Sequence, residues 1–428
     1  MNRLLLLSIL VYLLFLLGLV TLDGRVLALV LPLVVYIGAA LLYGPGPLRL
    51  ESTRSLSADR VQENMSVVVR LVITNRGDAV QELRVEDQVP QGLEVIDGQT
   101  SVLASLPPGR TLELAYTVRP RRGGYKFRHV GVTSSEHLGL FQRKAVLQAP
   151  ARLSVLPETL PLRPIAIRPL RTRGYAGPVP ARVGGSGVDF FGVREYQPGD
   201  PRRWINWRVS ARQPQALFTN EFQQERIADV GLILDARLRS DVRLGDDSLF
   251  EYAVRATASL AGRFLLDGNR VGLLVYGRAL DWTLPGYGKV QRERILRALA
   301  RAQTGDSQVF DQLDYLPTRL FPAQSQLVLV SPLFMDDLSM LVRLRARGYQ
   351  LLVIRPDPVP LELQLLDQEP GAPLAARIVH VERVLLRRKL QQAGIQVVDW
   401  QVDQPFDQAV HASLGRMPHW LRGVGVEV

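Results

Sequence analysis

Cysteine is absent from this chain of 428 residues, and the motifs of common nucleotide-binding and hydrolytic enzymes are missing as well. Without cysteine the protein can form no disulfide, use no thiolate nucleophile and hold no zinc through sulfur. No glycine-rich loop ends in Gly-Lys-Ser or Gly-Lys-Thr, which argues against nucleotide hydrolysis at a P-loop. The five histidines lie near no recognisable nucleophile elbow. We therefore predict that the protein is not an enzyme.

Lysine is also rare, although the chain is strongly basic. The formal net charge is +11, and only four of the 52 basic residues are lysine: Lys126, Lys144, Lys289 and Lys389. The arginines are scattered over the whole chain, and no helix-turn-helix, zinc or stacking-aromatic module accompanies them. We therefore predict no specific nucleic-acid binding. Attraction to anionic lipid is a second use for such a charge.

Two apolar runs fill most of the first 47 residues. Leu4 to Leu22 and Val26 to Tyr43 are each near the roughly 20 residues with which a helix crosses a bilayer. Only Asp23, Gly24 and Arg25 separate them. The pattern predicts a membrane hairpin of two helices over residues 1–47. A cleaved signal peptide is the alternative, but no small-residue cleavage site is apparent before the second run.

The arginines near the two spans predict their orientation. Arg3 precedes the first span and Arg49, Arg54 and Arg60 follow the second, whereas only Arg25 lies in the turn. Basic residues beside membrane spans favour the cytoplasmic side. We expect a multi-pass protein of the inner (plasma) membrane whose soluble part faces the cytoplasm.

The period of the hydrophobic residues divides the rest of the chain. Residues 48–155 show short runs of period two between glycine- and proline-rich turns, which predicts an immunoglobulin-like β-sandwich. One such run alternates through Val67, Val69, Leu71 and Ile73. Residues 156–225 are predicted to form a linker and a charged segment. Residues 226–428 alternate apolar strands with amphipathic helices, which predicts a doubly wound α/β domain that binds ligands at the carboxyl ends of its strands.

The charged segment is the most distinctive stretch of the chain. We call Gly187 to Arg212, GVDFFGVREYQPGDPRRWINWRVSAR, the signature segment. Arginine and tryptophan are enriched at binding hot spots, so its side chains are candidates for a docking surface. The alternative is a structural joint between two domains, in which acidic residues neutralise the arginines. For both hypotheses the candidates are Arg194, Glu195, Tyr196, Asp200, Arg203, Trp204, Trp207, Arg208 and Arg212. Within the segment, Pro198-Gly199-Asp200 is predicted to form a turn.

The signature segment resembles that of a bacterial and archaeal family known as domain of unknown function 58. The matching residues are Gly187, Asp189, Phe190, Gly192, Arg194, Tyr196, Pro198-Gly199-Asp200, Ile205, Trp207 and Ser210-Ala211-Arg212. The strand that closes on Asp235 and the helix after it resemble a von Willebrand factor A domain. Members of the family have no established enzymatic activity and are associated with MoxR-type AAA+ ATPases in the assembly or maturation of other proteins. The resemblance thus implies such an ATPase as a partner.

The resemblance to an A domain also implies a place for a divalent cation. Such domains hold the ion with an Asp-x-Ser-x-Ser loop, a threonine and a later aspartate. Asp235 matches the first position, but Arg237 and Arg239 replace both serines. Guanidinium groups supply no lone pairs and repel a dication, so we expect a degenerate site without Mg²⁺ or another cofactor. Asp235 is then expected to pair with an arginine or to cap the following helix. Ser331-Pro332 stands where the later aspartate is expected, and the further oxygen donors in this region are Thr304, Asp336 and Asp337.

The sequence thus predicts a membrane-anchored, cytoplasm-facing protein-interaction platform that works with a MoxR-type AAA+ ATPase in protein assembly or maturation. Two hypotheses from other classes compete with it. The first is an envelope-side structural or adhesion-like protein, which requires the opposite orientation in the membrane. The second is a hydrolase whose motif is not recognised, which requires a cleft where acid, base and nucleophile converge.

Overall fold

The structure, a computed structural model, describes residues 3–22, 24–42, 46–135, 142–165, 167, 172–173, 179–213, 215–245, 247–307, 312–313, 316–366 and 369–414. For residues 172–173, 179–189, 191, 222–226 and 318 it describes the backbone alone. The turn residue Asp23 and two histidines, His137 and His419, lie outside the described residues. The chain divides into two compact units, Met1–Leu156 and Pro157–Val428.

The first unit begins with two apolar helices, α1 (Arg3–Thr21) and α2 (Gly24–Leu42). Both are long and apolar enough to cross a membrane, and most of their side chains are exposed. They approach closely at Gly18, because a Cβ atom added there would lie 2.8 Å from Cγ of Leu27. The two apolar runs of the sequence therefore form the two helices that were predicted.

Nine strands are present among the described residues in the rest of the first unit. They are β1 (Leu50–Leu56), β2 (Arg60–Gln62), β3 (Val67–Asn75), β4 (Val80–Asp87), β5 (Leu93–Gly98), β6 (Ser101–Leu106), β7 (Thr111–Pro120), β8 (Gly123–Ser135) and β9 (Gln142–Leu156). A four-stranded sheet has the order β1-β3-β7-β5, and a five-stranded sheet has the order β2-β9-β8-β4-β6.

One hydrophobic core joins side chains from both sheets. On β3 the predicted apolar positions Val67, Val69, Leu71 and Ile73 are all buried, and the residues between them are more exposed. They pack with buried residues of β4, β7, β8 and β9. The period of two therefore predicted correctly which face of β3 is buried.

A charged group lies inside this core. Arg54 and Asp87 form an ion pair with fully buried side chains, and the hydroxyl of Tyr116 donates to Oδ2 of Asp87 at 2.8 Å. The guanidinium of Arg54 also lies over the ring of Phe127, 4.9 Å from its centroid. Burial and the neighbouring Asp87 charge raise the pKa of Tyr116. The pair is satisfied on all sides, which is the condition for burying two charges.

The second unit combines one large sheet with helices. Its strands are β10 (Thr172–Arg173), β11 (Val179–Glu195), β12 (Phe218–Ala236), β13 (Arg243–Leu244), β14 (Asp247–Ser248), β15 (Arg270–Gly277), β16 (Leu280–Gly286), β17 (Gln326–Val330), β18 (Gln350–Pro356) and β19 (Gln396–Trp400). Its helices are α3 (Trp207–Ser210), α4 (Leu249–Leu266), α5 (Gly288–Arg301), α6 (Leu338–Ala346), α7 (Val359–Leu365), α8 (Ala372–Gln392) and α9 (Phe406–Leu414).

The large sheet has the strand order β16-β15-β12-β17-β18-β19. All neighbours along it are parallel except the edge strand β16, which runs antiparallel to β15. The helices α6 and α8 bury apolar residues against one core of the sheet, and α4 packs on several of its strands. The predicted alternation of strands and helices, with a mostly parallel sheet, is therefore present.

Strand β12 belongs to two different pairings. Its first part pairs antiparallel with β10 and β11, and its last part, from Asp229 to Ala236, lies between β15 and β17. Gly231 sits where this last part is most crowded, since an added Cβ would lie 2.4 Å from Cδ1 of Phe321. The signature segment begins within β11 and leads into β12. It therefore lies in the same compact unit as the sheet.

Candidate functional site

The strand order changes direction at β12, the first strand of the sheet in the chain. Its neighbours β15 and β17 continue the sheet to opposite sides, so a crevice opens where the loops after β12 and β17 diverge. The loop after β12 carries Arg237 and Arg239, and the loop after β17 carries Ser331 and Asp337. Asp235 lies near the end of β12. The sheet thus brings together residues that are about one hundred positions apart in the chain.

The guanidinium of Arg237 lies between two carboxylates. Its Nε and Nη2 donate to the two oxygens of Asp235 at 2.9 and 2.8 Å. Its Nη1 and Nη2 donate to the two oxygens of Asp337 at 2.8 and 2.9 Å. The side chain of Arg237 is only 2% exposed, and those of both aspartates are fully buried. Arg237 therefore forms a two-sided bidentate ion pair, the strongest class of charge-assisted hydrogen bonding.

Asp235 accepts further hydrogen bonds from two serines. The hydroxyls of Ser331 and Ser240 donate to its Oδ2 at 2.6 and 2.7 Å, and the backbone N–H of Arg237 donates to Oδ1 at 3.0 Å. At the N-terminus of helix α4 the capping hydrogen bond comes from a different residue: Oδ1 of Asp241 accepts from the N–H of Phe250 at 3.0 Å. Of the two roles expected for Asp235, the structure shows pairing with an arginine.

The electrostatics of this group keep Arg237 charged. Burial lowers the pKa of Arg237, but its hydrogen bonds to Asp337 and Asp235 outweigh burial and hold that pKa above the usual value. Burial also raises the pKa of Asp337, against the opposing effect of the Arg237 guanidinium. The internal positive charge thus balances two carboxylates that would otherwise repel each other.

A second arginine continues the cluster towards the surface. Nη1 of Arg239 donates to Oδ2 of Asp336 at 2.8 Å, and Nη2 lies 3.4 Å from Oδ1 of Asp337. The Arg239 guanidinium also lies over the ring of Phe334, 4.5 Å from its centroid. Thr304, another expected oxygen donor, accepts from Nη2 of Arg243 at 2.9 Å. The oxygens that were candidates for metal ligands therefore bond to arginines.

Metal ligation can be judged from this donor set. Within the residues that the structure describes, no group of three or more His, Cys, Asp or Glu side chains is placed to hold a metal ion. Asp235 and Asp337 contribute two carboxylates, but a guanidinium lies between them. Ser240 was not among the residues that the sequence singled out. Ser240 lies five residues after Asp235, and this spacing does not by itself indicate that the two side chains are hydrogen-bonded.

A small cavity adjoins the cluster. Its volume is about 230 Å³, and its lining includes Arg239, Phe334, Met335, Glu362 and Arg383. Burial, followed by the nearby Asp357 charge, raises the pKa of Glu362. The loop beside the cavity is strained at Leu333, whose φ of 56° lies in the left-handed region. Charged and apolar groups therefore line one crevice at the carboxyl edge of the sheet.

The signature segment is ordered by hydrogen bonds within the second unit. Nη1 and Nη2 of Arg194 donate to the two oxygens of Asp200 at 2.9 and 2.8 Å, and Nε of Arg194 lies 3.6 Å from Glu221 on β12. The hydrogen bonds from Arg194 and from the N–H of Gln197 lower the pKa of Asp200. The predicted turn is present, with the N–H of Asp200 bonded to the carbonyl of Gln197 and a φ of 112° at Gly199.

A single helical turn follows and presents a tryptophan. Asn206 accepts from the N–H of Val209 at 3.1 Å and donates to Asn220 on β12 at 2.8 Å, so it both caps α3 and ties it to the sheet. Ser210 Oγ accepts from the N–H of Phe218 at 2.9 Å. Trp207, the first residue of α3, is 66% exposed. A large aromatic side chain is thus held in the solvent by an ordered backbone.

The remaining candidates of the segment surround this tryptophan in sequence. Trp204 is half-buried, and the guanidinium of Arg203 lies 5.9 Å from its ring centroid. The carbonyl of Glu195 accepts from Arg194, while the hydroxyl of Tyr196 donates to the carbonyl of Asp200. The exposed candidates are Glu195, Arg203, Trp207, Arg208 and Arg212. The segment therefore has a paired part, Arg194 to Asp200, and an exposed basic and aromatic part, Arg203 to Arg212.

The chain is similar to one uncharacterized bacterial protein and, weakly, to two solved domains. The chain is 29% identical over 280 residues to the uncharacterized protein YeaD of Bacillus subtilis (strain 168), which covers 64% of this chain and 67% of that protein. Among solved structures, the CARDB domain of the PF1109 protein from Pyrococcus furiosus is 20% identical with a TM-score of 0.19, covering 26% of this chain and 96% of that one.

The cupredoxin domain of amoB from Nitrosocaldus yellowstonii is similar at 9% identity with a TM-score of 0.19, covering 30% of this chain and 99% of that one. A family model also matches part of the chain. The matched part begins inside the signature segment and ends at the first residue of β19. The model of the family described as "Protein of unknown function DUF58" matches residues 192–396 of the chain.

Proposed function

We propose that this protein is a membrane-anchored, cytoplasm-facing interaction platform that docks a MoxR-type AAA+ ATPase for the assembly or maturation of other proteins. In this proposal α1 and α2 cross the membrane, and the arginines that flank them place both units in the cytoplasm. The first unit acts as an immunoglobulin-like sandwich and the second as a von Willebrand factor A-like domain. The strand order and the antiparallel edge strand of the second unit support that assignment.

The observation that carries the docking role is the exposure of Trp207. Burying a tryptophan stabilises a fold through its large apolar area, so an ordered segment that leaves one in water gives up that stabilisation. The neighbouring Arg203, Arg208 and Arg212 are exposed as well. Tryptophan and arginine are the residue types that dominate binding energy at interfaces. An acidic, aromatic-binding surface on the ATPase would complement this part of the segment.

Docking in this proposal needs no metal ion. In A-like domains that use a cation, the ion completes its coordination with a carboxylate of the partner. Here the corresponding position at the ends of β12 and β17 holds the Arg237 guanidinium, bonded to Asp235 and Asp337. A fixed internal cation keeps these loops in one arrangement and leaves no vacant coordination position. The partner is then recognised by surface side chains such as Trp207 instead of by a shared ion.

Capture of the ATPase by the full-length protein in detergent tests the docking role. We expect wild-type protein to retain the ATPase equally with and without a chelator, and Trp207→Ala to weaken capture at least tenfold. Trp282→Ala is a matched control, because Trp282 is also half exposed but lies on the edge strand β16. Chelator-sensitive capture would contradict the metal-free mechanism, and equal capture by wild type and Trp207→Ala would contradict the docking surface.

Orientation is tested separately with reporter enzymes fused to the C-terminus. A reporter that is active only in the cytoplasm should be active in this fusion, and one that is active only outside should not. The opposite result would support the envelope-side structural protein and would exclude contact with a cytoplasmic ATPase.

A further inference from the structure

Helix α8 presents an apolar stripe to the solvent. Only three of its residues, Ala372, Leu386 and Leu390, are buried within the unit. Four others form what we call the α8 seam: Leu374, Ile378, Val381 and Leu385, which are 62%, 55%, 56% and 47% exposed. Single exposed apolar residues are ordinary, but a continuous row of four along one helix indicates an interaction surface.

The spacing of the α8 seam indicates the shape of what covers it. Its residues follow one another at intervals of four, three and four positions. This is the a/d pattern of a coiled coil, in which each side chain inserts between four residues of a second helix aligned with the first. Numbered this way, Ile378 and Leu385 occupy a positions, and Leu374 and Val381 occupy d positions. The surface is therefore suited to one long helix that runs alongside α8.

We propose that the α8 seam binds the α8 seam of a second copy of this chain, as a parallel pair of helices. The charges beside the seam support this choice of partner. Arg377 lies on one flank at a g position, and Glu382 lies on the other flank at the following e position. In a parallel pair, g of one helix faces the following e of its partner, so Arg377 of each copy faces Glu382 of the other.

The antiparallel arrangement lacks this complementarity. Placing Ile378 opposite Val381 in an antiparallel pair brings Arg377 near the apolar Val384 and Glu382 near Ala375. No opposite charges then meet. Both side chains, Arg377 and Glu382, are exposed and so are available to a partner. The charge pattern therefore distinguishes the parallel homodimer from the antiparallel one.

The pairing is short and depends on the rest of the chain. Arg388 occupies the next d position, so the seam ends after two heptads. Two heptads are marginal as an isolated coiled coil, but folded units that share one membrane meet at high effective concentration. The inference does not require the ATPase proposed above, so either can fail without the other.

The absence of cysteine from the chain makes a direct test possible. Full-length protein in membrane vesicles is oxidised after introduction of a single cysteine by Ile378→Cys or Leu385→Cys. In a parallel pair the same a position of both copies faces itself, within the Cα separation of about 4.4–6.8 Å that a disulfide spans. The matched control is His380→Cys, which is exposed on the same helix but lies off the seam.

We expect both seam variants to form covalent dimers at least tenfold faster than the control, and no difference between seam and control positions would overturn the proposal. A charge exchange tests the register in the Ile378→Cys background. Arg377→Glu should slow cross-linking about tenfold, and Arg377→Glu combined with Glu382→Arg should restore it. Failure of the double exchange to restore cross-linking would refute the parallel pairing.

A lipid surface is the other covering that the exposed apolar row could have. In that case neither seam cysteine cross-links, and both are protected from a charged maleimide in anionic phospholipid vesicles but not in detergent. Protection in both media without cross-linking would show that another part of the same chain covers the seam. Each of these results would overturn the homodimer.

Discussion

Replacing Arg237 by methionine tests the balance of charges at the ends of β12 and β17. Methionine keeps the apolar stem of the arginine side chain but removes its four hydrogen bonds to Asp235 and Asp337. The two carboxylates are fully buried, so the variant leaves Asp235 without a counter-charge and leaves Asp337 with only the Arg239 guanidinium, 3.4 Å from its Oδ1. Removing one partner of a buried ion pair costs about 3–5 kcal/mol. At roughly 2–4 °C per kcal/mol for a unit of this size, the melting temperature should fall by about 6–20 °C.

Tryptophan fluorescence measures this change without interference from the first unit. All five tryptophans, Trp204, Trp207, Trp282, Trp400 and Trp420, follow residue 156. The control is Arg297→Met, because Arg297 forms a partly exposed pair with Glu293 within helix α5. Exposed pairs of this kind are worth about 0–1 kcal/mol, so the control should melt close to wild type. A melting temperature for Arg237→Met within about 2 °C of the control would refute the role of the guanidinium.

Protons and cations should partly replace the missing charge. In Arg237→Met, repulsion between Asp235 and Asp337 raises the pKa of one carboxyl, and a group with a raised folded pKa is most stabilising at low pH. The loss relative to wild type should therefore shrink as the pH falls from 7 towards 5. Arg237→Ser adds an oxygen donor to this site, and Mg²⁺ at one hundred times its dissociation constant should restore about 2.7 kcal/mol. Equal effects of Mg²⁺ on this variant and on wild type would contradict the idea that Arg237 fills a cation position.

Three further changes test the packing and charge pairs described above. Asp87→Asn leaves the buried guanidinium of Arg54 without its counter-charge and should lower the free energy of unfolding by about 3–5 kcal/mol. The β-sheet circular dichroism signal should then be lost at a lower temperature. A decrease below about 1 kcal/mol would show that the pair is dispensable. Gly231→Ala forces a Cβ against Phe321 and should cost about 1–3 kcal/mol by tryptophan fluorescence, whereas an unchanged melting temperature would mean that the sheet yields. The hydrogen bond from Arg194 lowers the pKa of Asp200. The ionised Asp200 carboxylate therefore stabilises the signature segment above its usual pKa of 3.8, and this stabilisation is lost as the pH falls below that value. Tryptophan emission should report this loss in the wild type, and Arg194→Gln should remove the pH dependence.

Several local features followed from the sequence because they depend on neighbouring residues alone. Alternation in strand β3 predicted its buried face, since successive side chains on a strand point to opposite sides. Two uninterrupted apolar runs predicted α1 and α2. Pro198-Gly199-Asp200 predicted a turn, because Gly199 adopts a positive φ that few other residues tolerate. Each of these patterns is complete within about twenty residues.

The candidate site was less accessible to such reasoning. The sequence showed that Arg237 and Arg239 are unsuited to a metal, but it did not identify what Arg237 binds. Its second carboxylate, Asp337, is one hundred residues away. Ser331 reaches Asp235 only because β12 and β17 lie side by side in the sheet. The role of these residues is set by strand order, which no local pattern encodes.

The same division applies to the amphipathic helices and the signature segment. Helical periodicity shows that α8 has apolar residues on two faces, but it does not show which face is buried. The folded unit buries the face with Leu386 and Leu390 and leaves the α8 seam exposed. Composition shows that the signature segment is rich in arginine and tryptophan, but only the folded segment shows that Arg194 pairs with Asp200 and that Trp207 is left in water. The sequence alone determined the main strands and helices, the two apolar helices at the N-terminus and the residue types available for binding. The tertiary structure decided which of those residues are neutralised and which face solvent, because burial and ion pairing depend on contacts between distant parts of the chain.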